Sequence, residues 1–278
     1  MFGFSQQSKK EKWLRINLQE AVQKDQIEIY LQPQIGTRDH CIKGFEALIR
    51  WKHPLWGTLG PQDFFPEASS LHMIEQFDFL VFDKVCALQH KRLLERKNLF
   101  RIACNFSRKA FAEIDFVEAM EQLRSRYKVP ARYLAIEILE GSAFSREYRI
   151  QKNVKKLSEL GYAICLDDCG ADNATMSDLT LENIAQIKLD KKLTDHIEQR
   201  NVRILLEGIC SIAHKMPYEV VCEGVETRRQ FELIRDCDVD VVQGYYFYHP
   251  LQVEDAEKLF ENSLSDDIWR TAAYSPGI

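Results

Sequence analysis

Apolar residues in this chain gather in short runs, separated by longer stretches whose polar positions recur at helical spacing. The runs at 27–32, 44–51, 101–107, 134–140, 163–168, 184–190, 219–225 and 239–245 are mostly rich in Ile, Val, Leu and Phe. They do not alternate strictly, which is the pattern of strands buried on both faces. The stretches at 72–97, 108–127, 146–160, 191–215, 227–237 and 253–263 predict helices, with Ser107 and Ser145 placed to cap two of them. Trp13, Leu14, Ile16, Leu18, Ala21 and Val22 predict a lead-in helix over 9–24. The connection after Asp168 leaves room for only a short helix.

Strands alternating with helices predict a parallel sheet, and about eight such units predict a closed β/α barrel. An open doubly wound sheet is the alternative, but no glycine fingerprint follows the first strand. We divide the chain into a lead-in segment 1–17, a barrel domain 18–263 and a tail 264–278. A length of 278 residues suits one such core.

Composition narrows the function classes. A net charge of −5 disfavours general binding to DNA or RNA duplexes, so an anionic ligand needs a local basic cluster or bound cations. The eight cysteines are scattered with no CxxC pair, which predicts buried, reduced thiols and a cytoplasmic setting. No run approaches the roughly 20 apolar residues of a membrane helix, and the start lacks a signal-like apolar stretch. The expectation is a soluble domain, or the cytosolic domain of a larger, membrane-anchored regulatory protein.

The predicted strand ends carry the chemistry, because in a β/α barrel they converge on one rim. In order they present Gln32, Glu46, Asn105, Glu137, Asp167 with Asp168, Lys188, Glu223 and Gln243. One carboxylate in a strand is more often a salt-bridge partner than a ligand. Five at equivalent ends repel one another unless a counter-charge joins them, and one or two divalent cations would supply it. Carboxylate and amide oxygens suit Mg²⁺ or Mn²⁺ better than zinc. Such ions clamp phosphodiesters and activate water. The neighbouring Asp167 and Asp168 would face opposite ways in a regular strand, so the pair gains weight only where the backbone leaves the pleat.

These residues lie in recognisable motifs. Phe45-Glu46-Ala47-Leu48-Ile49-Arg50-Trp51 follows Leu31-Gln32-Pro33, and HPLWGTLGPQDFFPEA comes next. Then follow Cys104-Asn105-Phe106-Ser107, Glu137-Ile138-Leu139-Glu140, Asp167-Asp168-Cys169-Gly170, Ile187-Lys188-Leu189-Asp190, Cys222-Glu223-Gly224-Val225-Glu226-Thr227 and Gln243-Gly244-Tyr245. From about residue 18 to 251 the chain resembles the EAL family of cyclic di-GMP phosphodiesterases. The resemblance implies a TIM-like (β/α)8 barrel of the EAL type, often with the first strand antiparallel, that hydrolyses cyclic di-GMP to linear pGpG. It implies Glu46, Asn105, Glu137 and Asp167 as ligands of a first Mg²⁺ or Mn²⁺, with Asp167, Asp168 and Glu223 around a second. Glu223 and Lys188 are implied as the pair that activates or positions water, and Gln243 as a further catalytic residue. Gln32, Leu48 and Arg50 match substrate-binding positions, and Glu140 and Glu226 match supporting ones. Implied partners are cyclic di-GMP, a second copy in a homodimer, and an upstream sensor or diguanylate cyclase domain in a bacterial signalling protein.

The chain departs from the family where the usual DDFGTGYSS reads Asp167-Asp168-Cys169-Gly170-Ala171-Asp172-Asn173-Ala174-Thr175, and Leu139 replaces a threonine. That departure motivates an alternative, a catalytically weak or inactive domain acting as a cyclic di-GMP receptor or regulatory module. A different metal-dependent barrel hydrolase is the third reading.

Overall fold

The first apolar run folds as β1 (Ile27–Gly36) and returns at once as β2 (Ile42–His53), antiparallel from Ile27↔Trp51 to Ile35↔Ile42. This computed structural model describes residues 17–139, 147–169, 180–216 and 218–264. A short β3 (Gly57–Leu59) extends β2 as a hairpin. β2 then pairs parallel with β4 (Ile102–Phe106), and parallel pairing continues through β5 (Leu134–Leu139), β6 (Ala163–Cys169), β7 (Gln186–Leu189), β8 (Glu219–Cys222) and β9 (Val241–Val242). β9 closes on β1 through the antiparallel pairs Ile35↔Val242 and Gly36↔Val241. The result is a closed eight-stranded barrel with the first strand reversed; β10 (Leu251–Gln252) pairs antiparallel with β1 at Tyr30 and Leu31.

The strands alternate more than the sequence pattern implied. Ile102, Cys104 and Phe106 on β4, and Leu134, Ile136 and Ile138 on β5, join the main core beneath the helices. Between them on the opposite face, Ala103 and Ala135 form a separate small cluster with Cys165 of β6. One residue further along that face of β4 and β5 come Asn105 and Glu137, register partners across the two strands. The inner face thus runs from small side chains to polar ones as it approaches the rim.

The outer helices confirm helical spacing but not every boundary. The chain is helical at 17–23 (α1), at α2 (Pro61–Ser70) and at α3 (Ile74–Leu94), whose Phe77, Val81, Phe82, Val85 and Leu88 are buried. The hairpin strand, α2 and β10 have no counterpart in the sequence reading. The stretch expected to be one helix at 108–127 splits into α4 (Arg108–Phe111) and α5 (Phe116–Tyr127). Asn153, buried on α6 (Tyr148–Glu159), donates to the carbonyls of Phe111 and Glu113 at the break, so a side chain replaces the helical partners. The stretch at 191–215 likewise splits into α7 (Lys191–Asp195) and α8 (Arg200–Lys215), where Arg203 donates to the carbonyls of Ile197 and Glu198. Ser107 caps α4 as expected, accepting from the Ala110 amide; Ser145 lies outside the described residues. α9 (Arg228–Asp236) begins with a Thr227–Gln230 capping box, and α10 (Val253–Leu264) ends the described chain. All eight cysteines are free thiols, seven of them buried. No helix among the described residues is long and apolar enough to cross a membrane.

Arg92, in the last turn of α3, is fully buried and ties three segments together. Its Nε and Nη2 donate to the Asn98 carbonyl at 2.9 and 2.7 Å, and its Nη1 donates to Glu257 Oε1 of α10 at 2.6 Å. The guanidinium lies over the Phe100 ring at 4.6 Å. Arg92→Met leaves Glu257 buried without its main partner and should destabilise the fold by about 3–5 kcal/mol, measured by urea unfolding. A loss under about 1 kcal/mol, the level of a surface ion pair, would show that this contact does not anchor α10.

Candidate active site

Glu46, Leu48 and Arg50 alternate along one face of β2, and that face points into the barrel mouth. Register places Gln32 of β1 directly opposite Glu46. From the far side of the ring, Lys188 of β7 extends inward, its side chain only 1% exposed. Its Nζ lies 2.6 Å from Glu223 Oε1, 2.8 Å from Glu137 Oε2, 3.2 Å from Glu46 Oε2 and 3.3 Å from Asp167 Oδ1. One ammonium therefore touches carboxylates from β2, β5, β6 and the turn after β8.

The four carboxylates are not equivalent. Glu46 also accepts from Asn105 Nδ2 at 2.7 Å and from Gln243 Nε2 at 2.6 Å. Burial opposes its charge, but Lys188 and these two amides outweigh it and hold Glu46 below the usual carboxylate range. Glu137 is fully buried, and its Oε1 has no hydrogen-bond partner among the described residues. Burial and the neighbouring Glu46 push it well above the usual range despite Lys188. Burial likewise raises Asp167, and pushes Glu223 up to about 8. Lys188 is raised well above its ordinary value: burial disfavours its charge, but the acids around it prevail.

The aspartate pair is resolved by a backbone irregularity. The β6–β7 register shifts between Leu166 and Cys169, and Asp168 has a positive φ of 58°, in the left-handed region. That bulge takes Asp168 out of the pleat, so oxygens of Asp167, Asp168 and Glu223 all lie within 4.8 Å of one another. Burial and Asp167 raise Asp168 to about 6. A hard divalent cation fits this donor set: oxygens converge, several resist ionisation without added positive charge, and one Glu137 oxygen lacks a partner among the described residues.

Polar side chains link the acids to residues of the barrel mouth. Gln243 Nε2 also lies 3.2 Å from Gln32 Oε1, and Gln34 Nε2 donates to Gln243 Oε1 at 3.2 Å. Gln34 is absent from the sequence reading, although its spacing of two from Gln32 on one strand was a usable signal. Thr194 of α7 was also missed. Fully buried, it donates to the Glu223 carbonyl at 2.5 Å and so fixes the turn that carries that acid. Leu48 and Arg50 are half-buried at the mouth. Glu226 stands apart: it pairs with Lys191 at 2.5 Å, and both side chains are well exposed. Glu140 and the loop residues 170–175 lie outside the described residues.

Comparison with known proteins follows the same line. A family model described as "EAL domain" matches residues 15–250. The chain is 30% identical over 239 residues to the "Oxygen sensor protein DosP" of Escherichia coli (strain K12), covering 86% of this chain and 30% of that protein. It is 29% identical over 246 residues to the "Cyclic di-GMP phosphodiesterase NbdA" of Pseudomonas aeruginosa, covering 87% of this chain and 31% of that protein. The chain thus spans about three-tenths of the length of these relatives. Among solved structures, "PaMucR Phosphodiesterase, c-di-GMP complex" shares the fold with a TM-score of 0.81 at 24% identity, covering 88% of this chain and 99% of that one.

The raised carboxylates would make binding of a cation at this site pH-dependent. Glu223 rises from 4.5 to about 8 and Asp168 from 3.8 to about 6, so folding takes up protons between each pair of values. Without metal, these two groups subtract stability as pH climbs through that window. A cation needs them deprotonated, so protons compete with it. The rise in melting temperature caused by Mn²⁺ should be larger near pH 8 than near pH 6, and Asp168→Asn should shrink it. A Mn²⁺ shift that is flat with pH and unchanged in the variant would remove these carboxylates from the cation site.

Proposed function

The chain belongs to the EAL-domain family, and from that premise we propose that it hydrolyses one phosphodiester of cyclic di-GMP to give linear pGpG. The observation that carries this reading is the ammonium of Lys188 set among four carboxylates beneath a mouth lined by Gln32, Leu48 and Arg50. Glu46, Asn105, Glu137 and Asp167 would hold a first Mg²⁺ or Mn²⁺, with Asp168 and Glu223 beside a second. Bound there, the ions would neutralise phosphate charge and make water acidic enough to attack.

The chain's own residues supply the rest. Arg50, half-buried and cationic, orients a phosphate of the incoming nucleotide. Lys188 keeps its proton at neutral pH because the surrounding acids hold its affinity high, so it acts as fixed positive charge and not as a base. Its charge counts most as negative charge builds on the phosphoryl oxygens. Glu223 is the better proton acceptor. Its side chain is 23% exposed, against 10% or less for the other three acids around Lys188, so it is the one of the four most open to a water molecule. Gln243 and Asn105 hold Glu46 in one orientation through the hydrogen bonds described above.

The direct test is incubation of the purified protein with cyclic di-GMP and Mg²⁺ or Mn²⁺, followed by chromatography. We expect pGpG. Tight nucleotide binding with no product over hours would instead establish the receptor role. Lys188→Met should lower kcat by on the order of 10²–10³, more than it weakens substrate binding. It should also lower the melting temperature of the metal-free protein, since four acids lose their shared counter-charge. Equal losses in kcat and in nucleotide affinity would mark Lys188 as a simple phosphate clamp.

A further inference from the structure

Gln34, 2% exposed on β1, makes a hydrogen bond to Gln243 and to no carboxylate among the described residues. The two side chains meet because the β1–β9 ladder ends at Ile35↔Val242, and the next residues past that pair are Gln34 and Gln243. On β2 the register partner of Gln34 is Gly44, which has no side chain to obstruct a turn of the amide toward β9. The backbone at Gln243 is fixed from both sides. Its amide donates to the Cys222 carbonyl at 3.0 Å, and its carbonyl accepts from the Val225 amide at 3.2 Å. Only the direction of its side-chain amide is left open, because the oxygen and NH₂ ends have nearly the same shape.

Partners decide that direction. Ionised Glu46 can only accept, so Gln243 must turn Nε2 to it, which it does at 2.6 Å. The Tyr248 carbonyl also can only accept, so Gln32 turns Nε2 there at 3.2 Å and offers its oxygen to Gln243 Nε2, again at 3.2 Å. Both requirements leave Gln243 Oε1 aimed at β1, where Gln34 Nε2 meets it at 3.2 Å. Reversing the Gln243 amide would set its oxygen against the Glu46 carboxylate and the Gln32 oxygen. It would also set its NH₂ against the NH₂ of Gln34, so every hydrogen bond of that side chain would become a repulsion.

We propose that Gln34 is a positioning residue that locks the Gln243 amide, so that Gln243 presents its NH₂ to Glu46 and holds that carboxylate in place for a cation. The inference rests on the function proposed above and adds a residue that acts on the cation site through another side chain. Glu46 is gripped at Oε1 by Asn105 and at Oε2 by Gln243 and Lys188. Outer partners of this kind keep a carboxylate in the orientation a metal needs, and losing one typically costs about tenfold or more in metal affinity or activity. Without the Gln34 donor, Gln243 Oε1 becomes a buried acceptor short of a partner. The amide is then free to turn, and Glu46 with it.

Calorimetric titration of the metal-free protein with Mn²⁺ tests this, followed by kinetics with cyclic di-GMP. Gln34→Leu should weaken Mn²⁺ binding by about tenfold. Gln34→Met, which keeps the unbranched shape of glutamine, should do the same and serves in its place if leucine disturbs the packing. Gln243→Leu should cost at least as much. The double variant Gln34→Leu, Gln243→Leu should lose no more than Gln243→Leu alone, because no amide is left to orient. At saturating Mn²⁺, Gln34→Leu should lower kcat by about tenfold with KM within about twofold, since Gln34 is buried behind Gln243. Mn²⁺ affinity equal to wild type in both Gln34 variants overturns the inference and leaves the functional reading standing. Losses that multiply in the double variant, or a KM that rises as much as kcat falls, overturn it too. Wild type that binds Mn²⁺ but forms no pGpG overturns the functional reading alone, and the titrations still decide the role of Gln34. Wild type that binds no Mn²⁺ overturns both.

Discussion

The ammonium group of Lys188 is shared among four carboxylates at the mouth of the barrel, and the rest of the site is organised around that shortage of positive charge. Buried ion pairs persist only when their remaining valences are hydrogen-bonded. Glu46 meets that condition, because Asn105 and Gln243 both donate to it. Glu137 does not, and responds by holding its proton. The difference between two neighbouring glutamates is thus a difference in donors, with burial common to both. A divalent cation would relieve the same shortage, which is why a donor set so costly when empty suits a hard metal.

The scaffold explains how so many acids come within reach of one lysine. Reversing β1 brings Gln32 level with Glu46 and lets a two-strand turn, without a crossover helix, complete the ring. Lower in the barrel, Ala103, Ala135 and Cys165 replace the bulky branched residues usual in such interiors. Below them Glu219 accepts from Arg101 at 3.0 Å and from Gln186 at 2.7 Å, a paired polar layer near the strand starts. The charged layer above is therefore insulated from this one by small apolar groups. Two separate polar layers in one barrel each keep their own partners.

Two of the outer helices brace the same rim. Thr194 of α7 holds the peptide of Glu223, and the Thr227–Gln230 capping box fixes the start of α9 just beyond it. Gln230 Oε1 accepts from the amides of Glu226 and Thr227 at 2.9 and 3.0 Å, which leaves Glu226 directed to Lys191 at the surface. The turn carrying Glu223 is thus braced from two sides. Mobility there would blur the position of the group proposed to accept the proton.

Local pattern alone determined the alternation of strands and helices, the barrel, and the polar residue at nearly every strand end, because each depends on a few consecutive positions. Gln32, Glu46, Asn105, Glu137, Asp167, Asp168, Lys188, Glu223 and Gln243 could all be named that way. Tertiary structure alone decided which of them touch. Lys188 and Glu46 are 142 residues apart in the chain, and only ring closure sets them 3.2 Å from each other. The bulge that turns Asp168 toward Asp167 and Glu223 arises from register between β6 and β7, which no single segment encodes. Glu226, alike in sequence context, ends outside the cluster and pairs with Lys191 at the surface. Strand-end chemistry is local and readable; charge balance is a property of the closed ring, since it depends on distances between residues the chain itself keeps far apart.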